Sequence, residues 1–240
     1  MSDRARVDNA QAFVLHSYPY RETSLIVEAY SRAHGRVALI ARGARRPRAA
    51  LRGALIQFQP LLLSWAGKGD LRTLMKAEWI GGRPLLRGDA LLCGFYLNEL
   101  LLKLLPREDP HEALFDRYVQ AIEQLSAPDG TAVALRGFEK QLLAELGYAL
   151  TLDREARTGA TIDPAQSYTY EMERGPVPVA DTDGAPVVFS GKALLGIARD
   201  DYSDPETAAQ SKALMRLLIN HRLESQTLHS RRVFADLQAL

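Results

Sequence analysis

Hydrophobic residues recur with two different periods in this chain, and the change falls at Arg83 and Pro84. Before it, short runs rich in β-branched and aromatic residues are separated by turn residues. The runs cover 12–16, 22–30, 37–42, 56–65 and 71–79. Pro19 sits in the first link, Gly35 in the second, and Gly67-Lys68-Gly69-Asp70 precedes the last run. Such runs, bounded by Gly, Pro and Asp, read as strands and tight turns. After Pro84 the apolar residues recur at helical spacing. The expected fold class is therefore α+β.

Five short strands in about 80 residues predict a small closed or nearly closed barrel, and five-stranded Greek-key barrels of this size are commonly OB-folds. Helices are expected from Asp89 to the breakers Pro106 and Pro110, then over 111–125 and 131–146, with Gly147 as a C-terminal stop. The first is apolar nearly all round, as a central buried helix is. In the third, Leu135, Phe138, Leu142 and Leu146 form the predicted apolar stripe. Residues 151–190 hold most of the Gly, Pro, Asp and Thr of the back half, and read as a small β-rich insert with strands over 167–172, 177–179 and 186–189. Helices resume at 191–199, 205–223 and 230–239, the last with Ser230 as its N-cap. The expected domains are 1–81, an OB-fold nucleic-acid-binding barrel, and 82–240, a helical domain carrying the insert.

Charge is divided along the same line. Residues 1–81 hold 13 Lys+Arg against 6 Asp+Glu, a net of +7, and the remainder holds 17 against 23, a net of −6. The whole-chain value of +1 hides a basic front and an acidic back. Five arginines fall in the eleven residues 42–52, with no acid among them. A charge run is often only a solvated loop. Here every charge has one sign, arginine is used throughout, and the run joins strands of a barrel of a type that grips single strands. Arg42, Arg45, Arg46, Arg48 and Arg52 are the expected phosphate contacts, helped by Lys68, Arg72 and Lys76. Arg72 and Lys76, four apart, are expected on one face of a strand. Five neutralised phosphates of a single strand would give a salt slope of about −3.5. Tyr18, Tyr20, Phe58 and Trp65 are candidates to stack on bases, although barrel aromatics are more often core.

No catalytic constellation stands out. Gly-x-Ser-x-Gly and His-Glu-x-x-His are absent, and Gly67-Lys68 and Gly191-Lys192 lack the rest of a phosphate-binding loop. The five histidines are scattered, and one cysteine, Cys93, excludes an internal disulfide and a cysteine-rich zinc site. A non-enzymatic binding protein without cofactor is expected. The alternatives are an RNA-binding OB module and a metal-dependent nuclease using Asp200, Asp201 and Asp204, which read better as a solvated loop and helix N-terminus. The polar N-terminus and the absence of an apolar run of about 20 residues predict a soluble cytoplasmic, nucleoid-associated protein without a membrane span.

Several segments carry a resemblance over nearly the whole chain. They are Ala12-Phe13-Val14-Leu15-His16-Ser17 with Glu22-Thr23-Ser24-Leu25, Gly35-Arg36-Val37, Ala41-Arg42-Gly43-Ala44-Arg45, and Leu51-Arg52-Gly53-Ala54-Leu55. Downstream are Tyr96-Leu97-Asn98-Glu99-Leu100-Leu101, Leu114-Phe115, Phe138-Glu139 with Leu142-Leu143, Leu146-Gly147-Tyr148 and Ser230-Arg231. In these the chain resembles the RecO family of recombination mediators. The resemblance implies an OB barrel followed by a helical domain. It also implies binding and annealing of single- and double-stranded DNA, and work with RecR to load the recombinase RecA onto strands coated by the single-stranded-DNA-binding protein (SSB). It further implies docking on the acidic C-terminal tail of SSB, the tail-binding arginine falling at Arg136, ahead of Phe138, with Lys140 one helical turn on. Some members carry a four-cysteine zinc module after the third helix. Here Glu155 stands where a cysteine tends to stand and no partner cysteine follows, so no zinc is expected and the insert must hold its shape by other means.

Overall fold

The structure is a computed structural model that describes residues 6–127, 130–179, 187–224 and 226–238. Five strands come first: β1 Arg6–Tyr20, β2 Ser24–Ser31, β3 Gly35–Ala41, β4 Leu61–Ala66 and β5 Leu71–Trp79. They close into a barrel in the order β1-β2-β3-β5-β4, with β3 and β5 parallel and the other pairs antiparallel. A one-turn helix, α1 Ala50–Ala54, bridges β3 and β4. Val14, Val27, Leu39, Leu61, Leu63 and Trp65 fill the interior and are fully buried, and Leu51 of α1 and Leu55 just after it pack on that core. Each such side chain contributes about 1.5–3 kcal/mol relative to exposure.

Two elements differ from the sequence expectation. β1 runs through Pro19 to Tyr20, and the turn falls at 21–23 instead. Proline is tolerated because this half of β1 has β2 as its sole strand partner, β4 pairing only as far as Ala12. Residues 56–60 are not strand: Phe58 takes φ +64°, a left-handed conformation outside the strand region and rare for so bulky a residue.

Contacts divide the chain into two compact units, Met1–Ser126 with Leu228–Leu240, and Ala127–Thr227. The expected boundary after Gly81 follows secondary structure, whereas contacts group the next helices with the barrel. In this first unit α2 (Gly88–Leu104) and α3 (Glu112–Leu125) cover part of the barrel wall. Phe13 and Tyr30 on the outer face of the sheet meet Phe115 and Tyr118 of α3, with ring centroids 5.2–6.1 Å apart. Asn98, buried in α2, donates to the Leu15 carbonyl at 2.9 Å and accepts from the Tyr118 hydroxyl at 2.7 Å. Burial pushes the Tyr118 phenol far up, so it stays a donor. Arg32 pairs with Asp116 at 3.0 Å and with Glu112, and Arg107 pairs with the buried Glu28. The terminal helix, α7 His229–Gln238, docks on α2 through Glu99, which accepts from the His229 and Ser230 amides at 2.8 and 2.9 Å and from the Ser230 hydroxyl. Ser230 is thus a donor to Glu99 in the first turn rather than the N-cap; position 239 lies outside the described residues.

The second unit contains α4 Thr131–Glu145, α5 Gly191–Ala198 and α6 Pro205–Leu223. A three-stranded sheet, order β7-β6-β8, lies between α4 and α5 in sequence: β6 Ser167–Glu171, β7 Gly175–Pro178 and β8 Phe189–Ser190. Residues 180–186, where a further expected strand begins, lie outside the described residues. The loop before β6 is closed by backbone hydrogen bonds. Glu155 N donates to Ala160 O at 2.8 Å, Ile162 N to Asp153 O at 3.0 Å, and Ala156 N to Pro176 O at 2.8 Å. Leu152 and Ile162 are buried beneath it. Gly191 lets the loop approach α5, since a Cβ there would stand 1.9 Å from Asp163 O. Among the described residues no helix is long and apolar enough to cross a membrane.

Candidate nucleic-acid interface

The arginine segment leaves β3 as a series of tight turns. Ala44 N, Arg46 N, Ala49 N and Arg52 N each donate three residues back, at 3.0–3.4 Å. Gly43 supplies φ +69°, and the small Ala44 side chain is fully buried in the end of the barrel. Anchoring there turns Arg42, Arg45, Arg46 and Arg48 outward, all exposed, and Arg52 is exposed on α1. The segment is tied to the β1–β2 turn: Arg45 N donates to Thr23 O at 2.8 Å, and Arg45 Nη1 to Arg21 O at 3.2 Å. That contact brings in Arg21, exposed at φ +52° with its guanidinium carbon 5.2 Å from the Tyr20 ring centroid. Sequence reasoning missed Arg21 because it lies over twenty residues from the cluster, and only barrel closure joins them. Among the described residues, Arg21, Arg42, Arg45, Arg46, Arg48 and Arg52 form no ion pair within 4 Å with an acid.

The other three cations are placed differently. Lys68 is exposed in the β4–β5 turn, before Leu71, which pairs with Ala38. At about 3.3 Å per residue along parallel strands it lies roughly 20 Å from Arg42, toward the other end of the barrel. Arg72 and Lys76 do not share a face. A register shift places Trp65 opposite Leu74 but Ser64 opposite Lys76, so β5 carries an extra residue between them and the alternation reverses. Arg72, opposite the buried Leu39, lies on the inward side and pairs with Glu108 at 2.7 Å. Burial, with Arg72 nearby, pulls the neighbouring His34 imidazole below its ordinary value. Lys76 pairs with Glu78 at 2.7 Å. Phe58 and Trp65 are buried, which removes them as base-stacking candidates, while Tyr18 is 45% exposed and Tyr20 half-buried.

On α4, Arg136 is buried, with Nε 3.1 Å from an oxygen of Glu139, itself 1% exposed. The predicted stripe is rearranged accordingly: Arg136 and Glu139 share the buried face, and Leu135 and Leu146 are only half-buried. A buried ion pair is tolerated when each charge answers the other. Phe138 is completely buried and touches no solvent, which corrects its expected place as a ligand contact. Lys140 spans to the end of α5, donating to Ile197 O at 2.8 Å, Ala198 O at 3.3 Å and Asp200 Oδ1 at 2.8 Å. A lysine satisfying the last carbonyls of a helix also answers its dipole. Tyr202 donates to the same Asp200 oxygen at 2.9 Å, and burial and Asp200 together push its phenol up. Asp204 caps α6, accepting from the Thr207 amide at 2.9 Å. This bond and Lys192 hold its carboxyl at about 2. Asp201 accepts from Ser203. Among the described residues no group of three or more His, Cys, Asp or Glu is placed to hold a metal ion.

A closed five-stranded barrel of this strand order, with a helix between its third and fourth strands, defines an OB-type module followed by a helical region. The family description "Recombination protein O N terminal" matches residues 6–83, and "Recombination protein O C terminal" matches residues 85–232. The chain is 56% identical to the DNA repair protein RecO of Aromatoleum aromaticum and 54% identical to that of Dechloromonas aromatica, each over the full length of both chains. It is 52% identical to that of Nitrosospira multiformis over 99% of each. The chain belongs to the RecO family.

Proposed function

We propose that the chain is a DNA-repair and recombination mediator that grips DNA by its phosphates. The observation that carries this reading is the set of six guanidinium groups, Arg21, Arg42, Arg45, Arg46, Arg48 and Arg52, that have no acidic partner among the described residues and lie on two connections hydrogen-bonded to each other. Guanidinium groups without carboxylate partners present bidentate donors to phosphate oxygens. Lys68 extends the charge along the barrel, whereas Arg72 and Lys76 contribute only after giving up Glu108 and Glu78. Held on such a surface, two complementary strands repel each other less, so annealing needs no catalytic residue. Family membership supports the finer roles: binding of single- and double-stranded DNA, cooperation with RecR, and loading of RecA onto SSB-coated strands. For the acidic SSB tail, Arg136 and Lys140 remain the proposed cations, with Phe138 acting from inside α4 as support. A tail carboxylate would compete with Glu139 for Arg136 and with Asp200 for Lys140.

The test is reversal of Arg42, Arg45 and Arg46 to glutamate, followed by strand binding and strand annealing with and without SSB. Loss of both activities on naked DNA is expected. Binding and annealing at wild-type strength would rule this surface out.

A further inference from the structure

The outer face of the barrel is covered at one end and open at the other. At the covered end, Phe13 and Tyr30 pack against α3. Beyond the register shift between Val14 and His16, β1 pairs Ser17 with Val27 and Tyr18 with Ile26. Val27 is buried in the barrel, so Ser17 turns inward, and Tyr18 and Ile26 turn out. Ile26 pairs in turn with Ile40 on β3. Tyr18, Ile26 and Ile40 therefore form one row across three strands, with His16 and Tyr20 above and below Tyr18 on the same face of β1. Tyr18 is 45% exposed, His16 is exposed, and Tyr20, Ile26 and Ile40 are half-buried. The His16 and Tyr18 rings meet edge-on at 4.4 Å. Along β1, the line His16, Tyr18, Tyr20 ends at the β1–β2 turn, where Arg21 lies against Tyr20 and Arg45 is anchored. Tyr18 is three residues from that turn's start, roughly 10 Å along the strand.

Flat apolar and aromatic groups beside unpaired cations suit a ligand whose own flat apolar faces are joined to phosphates. We propose that this row, centred on Tyr18, is a stacking platform for the unpaired bases of a single strand. The proposal rests on the reading that the neighbouring arginines hold the phosphate backbone, and it adds a preference that phosphates cannot supply. Bases inside a duplex are stacked on each other and offer no free face, so the platform favours single strands.

Three labelled probes of equal phosphate number separate the two layers: oligothymidylate, an abasic oligomer, and a duplex. Binding is measured by fluorescence anisotropy at one salt concentration. The wild-type chain should bind oligothymidylate about 10-fold more tightly than the abasic oligomer. Tyr18→Ala should remove about that factor for oligothymidylate while leaving the abasic and duplex affinities within about twofold, and Tyr18→Phe, which keeps the ring, should bind as wild type. The exposed position of Tyr18 leaves the barrel core intact, which a melting curve checks. Unchanged oligothymidylate binding by Tyr18→Ala, or equal loss on all three probes, overturns the platform. Failure of the wild-type chain to bind any probe overturns the phosphate reading beneath it, and the platform with it.

Discussion

Removing one guanidinium at a time turns the sorting of paired and unpaired cations into a measurable slope. Among the described residues, six arginines at the β1–β2 and β3–β4 connections have no acidic partner, whereas Arg72 and Lys76 have one each. Each phosphate neutralised on a single strand contributes about 0.7 to the salt slope, so six give a slope of about −4. A fourfold rise in salt, from about 50 to about 200 mM, should then weaken binding about 300-fold. Replacing Arg42, Arg45 and Arg46 with alanine should halve the slope to about −2, leaving a weakening of only about 20-fold over the same range. Arg72→Ala should leave the slope unchanged, because its charge is already answered by Glu108. Loss of that partly exposed pair affects stability by about 1 kcal/mol at most. The assay is anisotropy of a labelled single-stranded oligomer across that salt range, variant by variant. A triple variant that keeps the wild-type slope, or an Arg72→Ala slope as reduced as that of Arg46→Ala, refutes the reasoning.

Two further outcomes follow from the helical parts. Glu99→Gln should loosen α7 and lower stability by about 1–2 kcal/mol at neutral pH, since a charged acceptor is lost from two amides and a hydroxyl. Burial raises the Glu99 carboxyl, but the Ser230 and His229 bonds and Lys103 outweigh it, and the net value lies below the ordinary one. The contribution is therefore complete above the ordinary carboxylate range and fades as pH falls through it, so thermal melts of wild type and variant should converge in acid. In the second unit, Asp200→Asn should free Lys140 from its carboxylate and tighten binding of an acidic SSB-tail peptide several-fold, read by calorimetry, while Arg136→Ala weakens it with naked-DNA binding intact.

Much of the architecture is legible in the chain because local signals and tertiary structure agree. Asp204 followed by Pro205 marks an N-cap and first turn, and α6 runs over the expected 205–223. The strands over 22–30 and 37–42 fall within two residues of β2 and β3, since a glycine turn and alternating apolar residues fix both ends. Other features depend on partners distant in sequence. Pro19 signals a turn locally, but β2 pairing carries the strand past it. Phe58 sits in an apolar run, yet its left-handed backbone breaks the strand. Arg136 and Glu139 lie off the predicted apolar stripe of α4, because hydrophobic periodicity cannot register two ions that bury each other. The arginine run was visible as composition. Its separation from Arg72 needed the β5 register shift, and its extension to Arg21 needed the loop-to-loop hydrogen bonds.

Backbone hydrogen exchange of the full chain, with and without a saturating single-stranded oligomer, locates the DNA directly. Protection should rise over 16–24 and 40–52, the two connected loops and the strand ends that carry them. Protection confined to the helices of the second unit, with those two segments exchanging as in the free chain, would contradict the assignment of the arginine surface to DNA.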